Sequence, residues 1–357
     1  MTRVAINGYG RIGRVAHRVI LDKYSQEIEV VAINAGSSTD IKGWMYLLKY
    51  DSVYGSLQNH TLNFKFPISN FQSNPNDSNA KLQTGSIGSI VIDSKEIPVF
   101  SQKDASLLPW KDLNIDVVLE CTGSLLTQEK AQAHITAGAK KVVLSAPVKE
   151  GDISTYVLSV NATDYKGESI ISNASCTTNC IAPVAKVILK EFGIEKAMMT
   201  TIHGYTSDQR LLDGGHKNYR RARAAAENII PTSTGATKAA AKAIPELDGK
   251  FNGLAIRVPV PVGSLSDFTF LVSRDVTKEE VNETFKKAAL EPQYQNILEV
   301  TEDPIVSSDI IGNSHSSIVD LSLTQVVGGN MVKVIAWYDN EWGYANRLVE
   351  EAILVGK

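Results

Sequence analysis

The chain has 357 residues, which is the size of two domains or of one large α/β unit. Hydrophobic residues at 43% and charged residues at 21% exclude a disordered, collagenous or fibrous chain. Thirty-six basic against 39 acidic residues leave a net charge of −3, which argues against nucleic acid as the main partner and leaves room for small anions held by a few local Arg and Lys. The three cysteines, Cys121, Cys176 and Cys180, are too few and too odd in number for a disulfide framework. The N-terminus MTRVAINGYG carries no apolar leader, and no run approaches the ~18 apolar residues of a membrane span. A reducing cytoplasm is the compartment expected.

The first 35 residues read as strand, turn, helix and strand: RVAIN, GYGRIG, RVAHRVILDKY and IEVVAIN. Gly8, Gly10 and Gly13 follow the first strand and open the helix, the context in which GxGxxG lets a backbone approach a pyrophosphate. An NAD site usually ends its second strand on a carboxylate for the ribose hydroxyls. Here that strand ends Asn34, Ala35, Gly36, Ser37, Ser38, which removes the group that would repel a 2′-phosphate and opens the site to NADP. Asp40 or backbone groups are the alternative partners. Residues 69–89, rich in Asn, Ser, Gly and Pro, read as a surface loop or hairpin insertion. VVLEC at 117–121, the helical TQEKAQAHITAGA and KVVLS at 141–145 continue a parallel α/β alternation.

Ser175, Cys176, Thr177, Thr178, Asn179, Cys180 lie between the strand ESIISN and the helix IAPVAKVILKEF. A cysteine near a helix N-terminus meets free N–H groups that favour thiolate and oxyanion, so Cys176 is a candidate nucleophile and Cys180 a packed apolar residue. Two cysteines so spaced, without further ligands, do not complete a metal site. Of His17, His60, His134, His203, His216 and His315, His17 and His134 fall on helices and His60 beside the polar insertion, whereas His203 ends a β run and opens into a loop, HGYT. Arg210, Arg220, Arg221 and Arg223 concentrate positive charge, most of it for solvent or ion pairs, while Arg257, between Ile256 and Val258 on a strand, must meet something polar. Thr232, Ser233, Thr234 and Gly235 before ATKAAAKAI form a second candidate anion site. From about residue 195, β-rich runs with the one helix KEEVNETFKKAAL predict an α+β domain on a largely antiparallel sheet, and GYANRLVEEAILVGK a last helix.

Taken together, INGYGRIGR, SNASCTTNC, HGYT, RRARAAAENIIPTSTGATKA, RVPVP and WYDNEWGY resemble phosphorylating glyceraldehyde-3-phosphate dehydrogenases from residue 2 to the last helix. The resemblance implies α/β plus α+β architecture: a Rossmann dinucleotide-binding domain at 1–175, completed by the helix at 340–357, and a catalytic domain at 176–339, assembled as a homotetramer. It implies oxidation of glyceraldehyde 3-phosphate with NAD or NADP and inorganic phosphate, with Cys176 as nucleophile and His203 as base. Thr206, Arg221 and Arg257 resemble contacts to substrate phosphate, and Ser175, Thr177, Thr234 and Gly235 the pocket for attacking phosphate. Gly8, Gly10, Arg11, Ile12, Gly13, Ser145 and Asn340 resemble cofactor contacts.

The sequence departs from the family at Ala35, where NAD-specific members carry Asp, and at Gly214 and Gly215, where a Leu-Pro pair is common. Both departures favour NADP or dual use, with Lys103 a candidate partner for the 2′-phosphate. Leu125 replaces an aromatic residue, RVPVPVGS replaces RVPTPNVS, and the insertion has no counterpart of its length. An erythrose-4-phosphate dehydrogenase would use the same residues. An RNA-binding protein is disfavoured by the net charge, and an aspartate-semialdehyde dehydrogenase by the hydroxyl-rich TSTG turn.

Overall fold

The computed structural model describes residues 1–66 and 85–357, so the stretch 69–84 of the polar insertion lies outside the described residues. Ser86–Ser89, read from the sequence as part of that insertion, belong instead to the strand Ser86–Ile92, where Ser89 pairs with Lys65 and Pro98. The chain divides into two compact units. Unit 1 comprises Met1–Ser154, Lys166–Asn173 and Leu348–Lys357, and unit 2 comprises Thr155–Tyr165 and Ala174–Arg347. A division at 175/176 and 339/340 therefore differs from the compact units in three places, since Thr155–Tyr165, Ala174–Ser175 and residues 340–347 all belong to unit 2. Thr155–Tyr165 go with unit 2 because Val157 and Val160 pack into its core, and the terminal helix Trp342–Val355 is split at Leu348.

Unit 1 is built on a twisted sheet whose parallel part runs Ile170–Ser172, Lys141–Leu144, Val117–Glu120, Thr2–Asn7, Ile28–Asn34, Lys95–Phe100. Ser86–Ile92 and Leu62–Lys65 extend it antiparallel. Val4, Ile6, Ile33, Val117 and Leu119 are fully buried, as expected of near-continuous apolar strands covered on both faces. The chain leaves Thr2–Asn7 for Ile28–Asn34 on one side and later returns to Val117–Glu120 on the other. The strand order thus reverses there, and Asn7, Asn34 and Glu120 end the three strands in register. Such a switch point, at the carboxyl ends of the strands, is where an open α/β sheet has its crevice.

Unit 2 carries an eight-stranded sheet, ordered Ile230–Ser233, Phe251–Val258, Lys196–Gly204, Ser264–Leu271, Met331–Tyr338, Ser317–Asp320, Leu298–Thr301, with Gln325–Val327 beside Met331–Tyr338. Two neighbouring pairs are parallel and the others antiparallel. Burial alternates strictly along Ser264–Leu271, so one face is core. The helices Cys176–Phe192, Ala236–Ala243 and Lys278–Leu290 supply Ile181, Val184, Ala240 and Phe285 to that core. Met198 and Leu254, on two central strands, stand exposed.

Candidate active site

The helix Cys176–Phe192 begins at Cys176 itself rather than at Ile181, because Ser175 caps it: its Oγ accepts from the Thr178 N–H at 3.0 Å. The turn before it is held by Ala174 at φ +53°, a left-handed conformation uncommon for a residue with a Cβ. Cys176 thus occupies the first helical position, where unsatisfied N–H groups and the helix dipole favour negative charge. Its Sγ lies 3.4 Å from His203 Nε2 and 4.0 Å from Thr177 Oγ1.

His203 ends the strand Lys196–Gly204 directly beside Arg257 of Phe251–Val258. Its Nδ1 is 2.6 Å from Gly204 O and 2.5 Å from Arg257 Nη1. Burial, reinforced by the Arg257 guanidinium, pushes the His203 ring down to about 3, so the imidazole is neutral at physiological pH. Burial also pushes the Cys176 thiol up, a rise that the charge of Arg257 opposes. The pair is therefore a thiol beside a neutral imidazole, and in the tautomer whose Nδ1–H donates to Gly204 O, Nε2 is the acceptor that faces the sulfur. Cys180, by contrast, is buried with its Sγ against Ala336 O, and burial pushes it up to about 12. Among the described residues no group of His, Cys, Asp and Glu could hold a metal ion.

Tyr338 was not singled out by sequence, yet it frames this pair. Its hydroxyl bonds Thr177 Oγ1 at 3.0 Å and Thr201 Oγ1 at 2.8 Å, and its ring meets that of His203 edge-on at 6.0 Å. The only signal was its place in WYDN, two residues before Asn340. Thr177 itself is buried, with its hydroxyl engaged by Tyr338.

Around the pair the remaining positions of unit 2 gather unevenly. The Thr178 hydroxyl donates to Ala236 O at 3.4 Å, so the N-terminus of Cys176–Phe192 meets that of Ala236–Ala243. The second helix starts at Gly235 without a side-chain cap, and Thr234 Oγ1 accepts from the Ala236 N–H. Two helix N-termini at one place suit an anion. Arg221 is held by Asp208 at 2.6 Å, Thr232 Oγ1 at 3.0 Å and Ser233 O at 3.3 Å. The Thr206 N–H donates to Gln209 Oε1. Arg210, Arg220 and Arg223 serve Gly215 O, Pro231 O and Asp213, the structural uses expected of most of this run. Asn340 is buried with Oδ1 accepting from the Gly263 N–H and the Ser264 hydroxyl, which leaves its Nδ2 as the donor to offer.

In unit 1 the glycine fingerprint has the shape its spacing predicts. Gly8 sits at φ +95°, and a Cβ there would come within 2.7 Å of the Cys121 carbonyl carbon and the Thr122 nitrogen. At Gly13 a Cβ would be 3.0 Å from Ile6 Cγ2, while at Gly10 it would meet nothing within 4 Å. The first glycine turns the chain, the third packs helix on strand, and the second leaves open space beside the uncapped N-terminus of Arg11–Val19. These residues fit a dinucleotide pyrophosphate. Arg11 is drawn to Asp51 at 2.5 Å, and Ile12 follows it in the first turn. Ser145 lies next to Glu120, its N–H donating to Glu120 O. Asp40 is committed elsewhere, capping Ile41–Lys49 by accepting from the Gly43 N–H at 2.8 Å. The 101–104 loop lies against the end of the second strand through Asn34 Nδ2 to Gln102 O and Ser101 Oγ to Gly36 O, and Lys103 on it is exposed.

Comparison with known proteins agrees with both halves. Residues 2–66 and 70–128 match the glyceraldehyde 3-phosphate dehydrogenase NAD binding domain, and residues 175–340 match the glyceraldehyde 3-phosphate dehydrogenase C-terminal domain. The chain is 49% identical to glyceraldehyde-3-phosphate dehydrogenase 2 of Streptomyces avermitilis over 356 residues, covering 99% of this chain and 98% of that protein. It is 48% identical to glyceraldehyde-3-phosphate dehydrogenase 2 of Synechocystis over 359 residues, 100% of this chain and 99% of that one. With a chloroplastic glyceraldehyde-3-phosphate dehydrogenase of Arabidopsis thaliana it shares 49% over 354 residues, 99% of this chain and 83% of that protein. The chain therefore belongs to the glyceraldehyde 3-phosphate dehydrogenase family of NAD(P)-dependent oxidoreductases.

Proposed function

We propose that this chain oxidises D-glyceraldehyde 3-phosphate to 1,3-bisphosphoglycerate, with unit 1 taking the dinucleotide and unit 2 carrying the chemistry. The observation that supports this most directly is the 3.4 Å approach of His203 Nε2 to the Cys176 sulfur at the start of a helix. His203 takes the thiol proton, and the thiolate adds to the aldehyde carbon to give a hemithioacetal on Cys176. The new oxyanion forms at the helix N-terminus, where the free N–H groups stabilise it. A nicotinamide dinucleotide, when bound, supplies the hydride acceptor. His203 returns its proton to that oxyanion and takes it back from the resulting hydroxyl as the C–H electron pair departs, leaving a thioester on Cys176. Inorganic phosphate attacks the thioester carbon, the C–S bond breaks and Cys176 leaves as thiolate. Ser175, Thr177, Thr234 and Gly235 surround the entry of that phosphate, while Arg257, Arg221 and Thr206 hold the substrate's own phosphate. Asn340, with its carbonyl pinned, offers Nδ2 to the carboxamide of the nicotinamide.

The same reading has NADP accepted at least as well as NAD. Asp40 is occupied as a helix cap, and no other carboxylate ends the second strand, so Ala35 leaves space that the exposed Lys103 can line with positive charge. Assembly into a homotetramer is supported by Leu211, Leu212, Tyr219 and Ile229, which are 71–87% exposed in the single chain. Among the described residues no helix is long and apolar enough to cross a membrane.

The test is the initial rate of reduced-nicotinamide formation from glyceraldehyde 3-phosphate with NAD and with NADP, each with and without inorganic phosphate. Phosphate-dependent turnover is expected with both cofactors. Cys176→Ser should lower it by roughly 10⁴-fold or more while the protein stays folded and still binds dinucleotide. Undiminished turnover in that variant would sink the mechanism.

A further inference from the structure

The polar side chains that end three neighbouring strands of unit 1 form one buried network. Glu120 and His134 are both 0% exposed, and Asn7 and Asn34 are buried with them. Trp110 Nε1 lies 3.0 Å from His134 Nδ1. An indole N–H can only donate, so Nδ1 accepts and the ring proton must sit on Nε2, which points at Glu120 Oε2 at 3.1 Å. Asn7 Nδ2 donates to the same oxygen at 2.5 Å, 3.4 Å from Nε2. The Thr122 N–H donates to Oε1 at 2.8 Å, and the Thr122 hydroxyl joins it. Four donors thus fill the acceptor positions of one carboxylate, and the histidine beside it is the neutral tautomer. From Asn7 the network continues: Asn34 Nδ2 donates to Asn7 Oδ1 at 2.6 Å and to Gln102 O at 2.8 Å, and Asn34 Oδ1 accepts from the Gln102 N–H at 3.0 Å.

A carboxylate buried, among the described residues, without a Lys or Arg partner is a poor choice for stability alone, since an apolar or amide side chain avoids the desolvation. What this one does is tie together loops from opposite sides of the sheet. Thr122 packs against Gly8, whose N–H donates to Asn34 O, and Gln102 carries the chain to Lys103. Resting on the cofactor assignment above, we infer that Glu120, backed by His134 and Trp110, is a positioning residue for the dinucleotide, locking the Gly8 turn, the Thr122 loop and the Gln102 loop into one preorganised floor. Residues that fix the groups around a ligand contribute to affinity by sparing it their ordering.

The experiment measures dissociation constants of NADH and NADPH by fluorescence titration, together with alkylation of Cys176 by iodoacetamide in dinucleotide-free protein as a control on unit 2. Glu120→Gln turns one acceptor toward the Asn7 and His134 donors into a donor, and should weaken both dinucleotides by about tenfold or more with alkylation unchanged. Glu120→Asp, which keeps the carboxylate, should recover part of the loss. Nitrogen NMR of the histidine rings supplies a signature that mere packing would not move: a buried Nε2–H tautomer for His134, lost or mixed in Trp110→Phe, with dinucleotide affinity lowered in step. If Glu120→Gln does not fold, the Trp110→Phe variant decides. Wild-type protein that binds neither dinucleotide would defeat the functional reading itself. Wild-type binding matched within twofold by a folded Glu120→Gln, or by Trp110→Phe with a switched tautomer, would overturn the positioning role alone.

Discussion

In the proposed mechanism Arg257 is the residue on which the proton chemistry turns. Its guanidinium lies against His203 Nδ1 and adds to the burial that holds the ring neutral, while the same charge favours the Cys176 thiolate. An anion drawn to Arg257 relieves the penalty on an imidazolium, so a phosphorylated substrate should assist the base that attacks with it. Arg257→Leu should raise KM for the phosphorylated aldehyde by roughly 10–100-fold, the worth of a charge-assisted hydrogen bond, and a KM unchanged within twofold would remove Arg257 from the phosphate site. At Ala35 the expectation is a change of sign: Ala35→Asp should move the NADP-to-NAD ratio of kcat/KM toward NAD by about tenfold, through repulsion of the 2′-phosphate. An unchanged ratio would mean that Ala35 does not govern the ribose. Cys176 and His203 were legible because each combined a reactive side chain with a diagnostic local context, a helix start and a strand end. Tyr338 was not, since a tyrosine in a β run reads as core until its hydroxyl is seen between Thr177 and Thr201.

Elements were readable where a local pattern determines them. The βαβ start, the helix from Ile181 onward and the β-rich second half follow from periodicity and punctuation, because burial on one or both faces writes itself into neighbouring residues. Partners distant in the chain leave no such trace. Asn7 meets Glu120 across 113 positions, so the network under the glycine turn could not be read, although each of its residues was in view. Thr155–Tyr165 were placed with the dinucleotide-binding domain for the same reason: a short irregular segment declares its unit only through what Val157 packs against. The glycine turn gives the prediction at this scale. Gly8→Ala forces a Cβ onto the Cys121–Thr122 peptide at a positive φ, and neither backbone can yield without moving a strand end. It should destabilise the protein by about 2–4 kcal/mol and weaken dinucleotide binding, read by thermal melting and titration. A Gly8→Ala variant that melts with the wild type and binds equally would show that the turn is not constrained as described.

For the molecule as a whole, acid should act on both units through a buried histidine in each. His17, in unit 1, is pushed down to about 3 by burial and, less, by the charge of His60; its Nδ1 is 2.7 Å from the Tyr9 hydroxyl. His203, in unit 2, is pushed down to about 3 by burial and Arg257. Both rings stay neutral in the folded chain under conditions where the unfolded chain binds a proton on each, at a pKa near 6.5. The unfolded state therefore holds more protons between about pH 6.5 and pH 3, and stability must fall as pH falls through that window. Each depressed histidine then contributes a loss of about 2 kcal/mol by about pH 5, with nothing lost above about pH 7. Thermal melting between about pH 7 and pH 5 should show the midpoint dropping, and His17→Gln should drop less, since it removes the ring that the folded state cannot protonate. Ligand at Arg257 should soften the loss in unit 2, because a bound anion raises His203 toward its ordinary value. A melting temperature flat across that range, or histidine NMR placing either ring near 6.5 in the folded protein, would refute this account of how burial and Arg257 hold the two rings neutral.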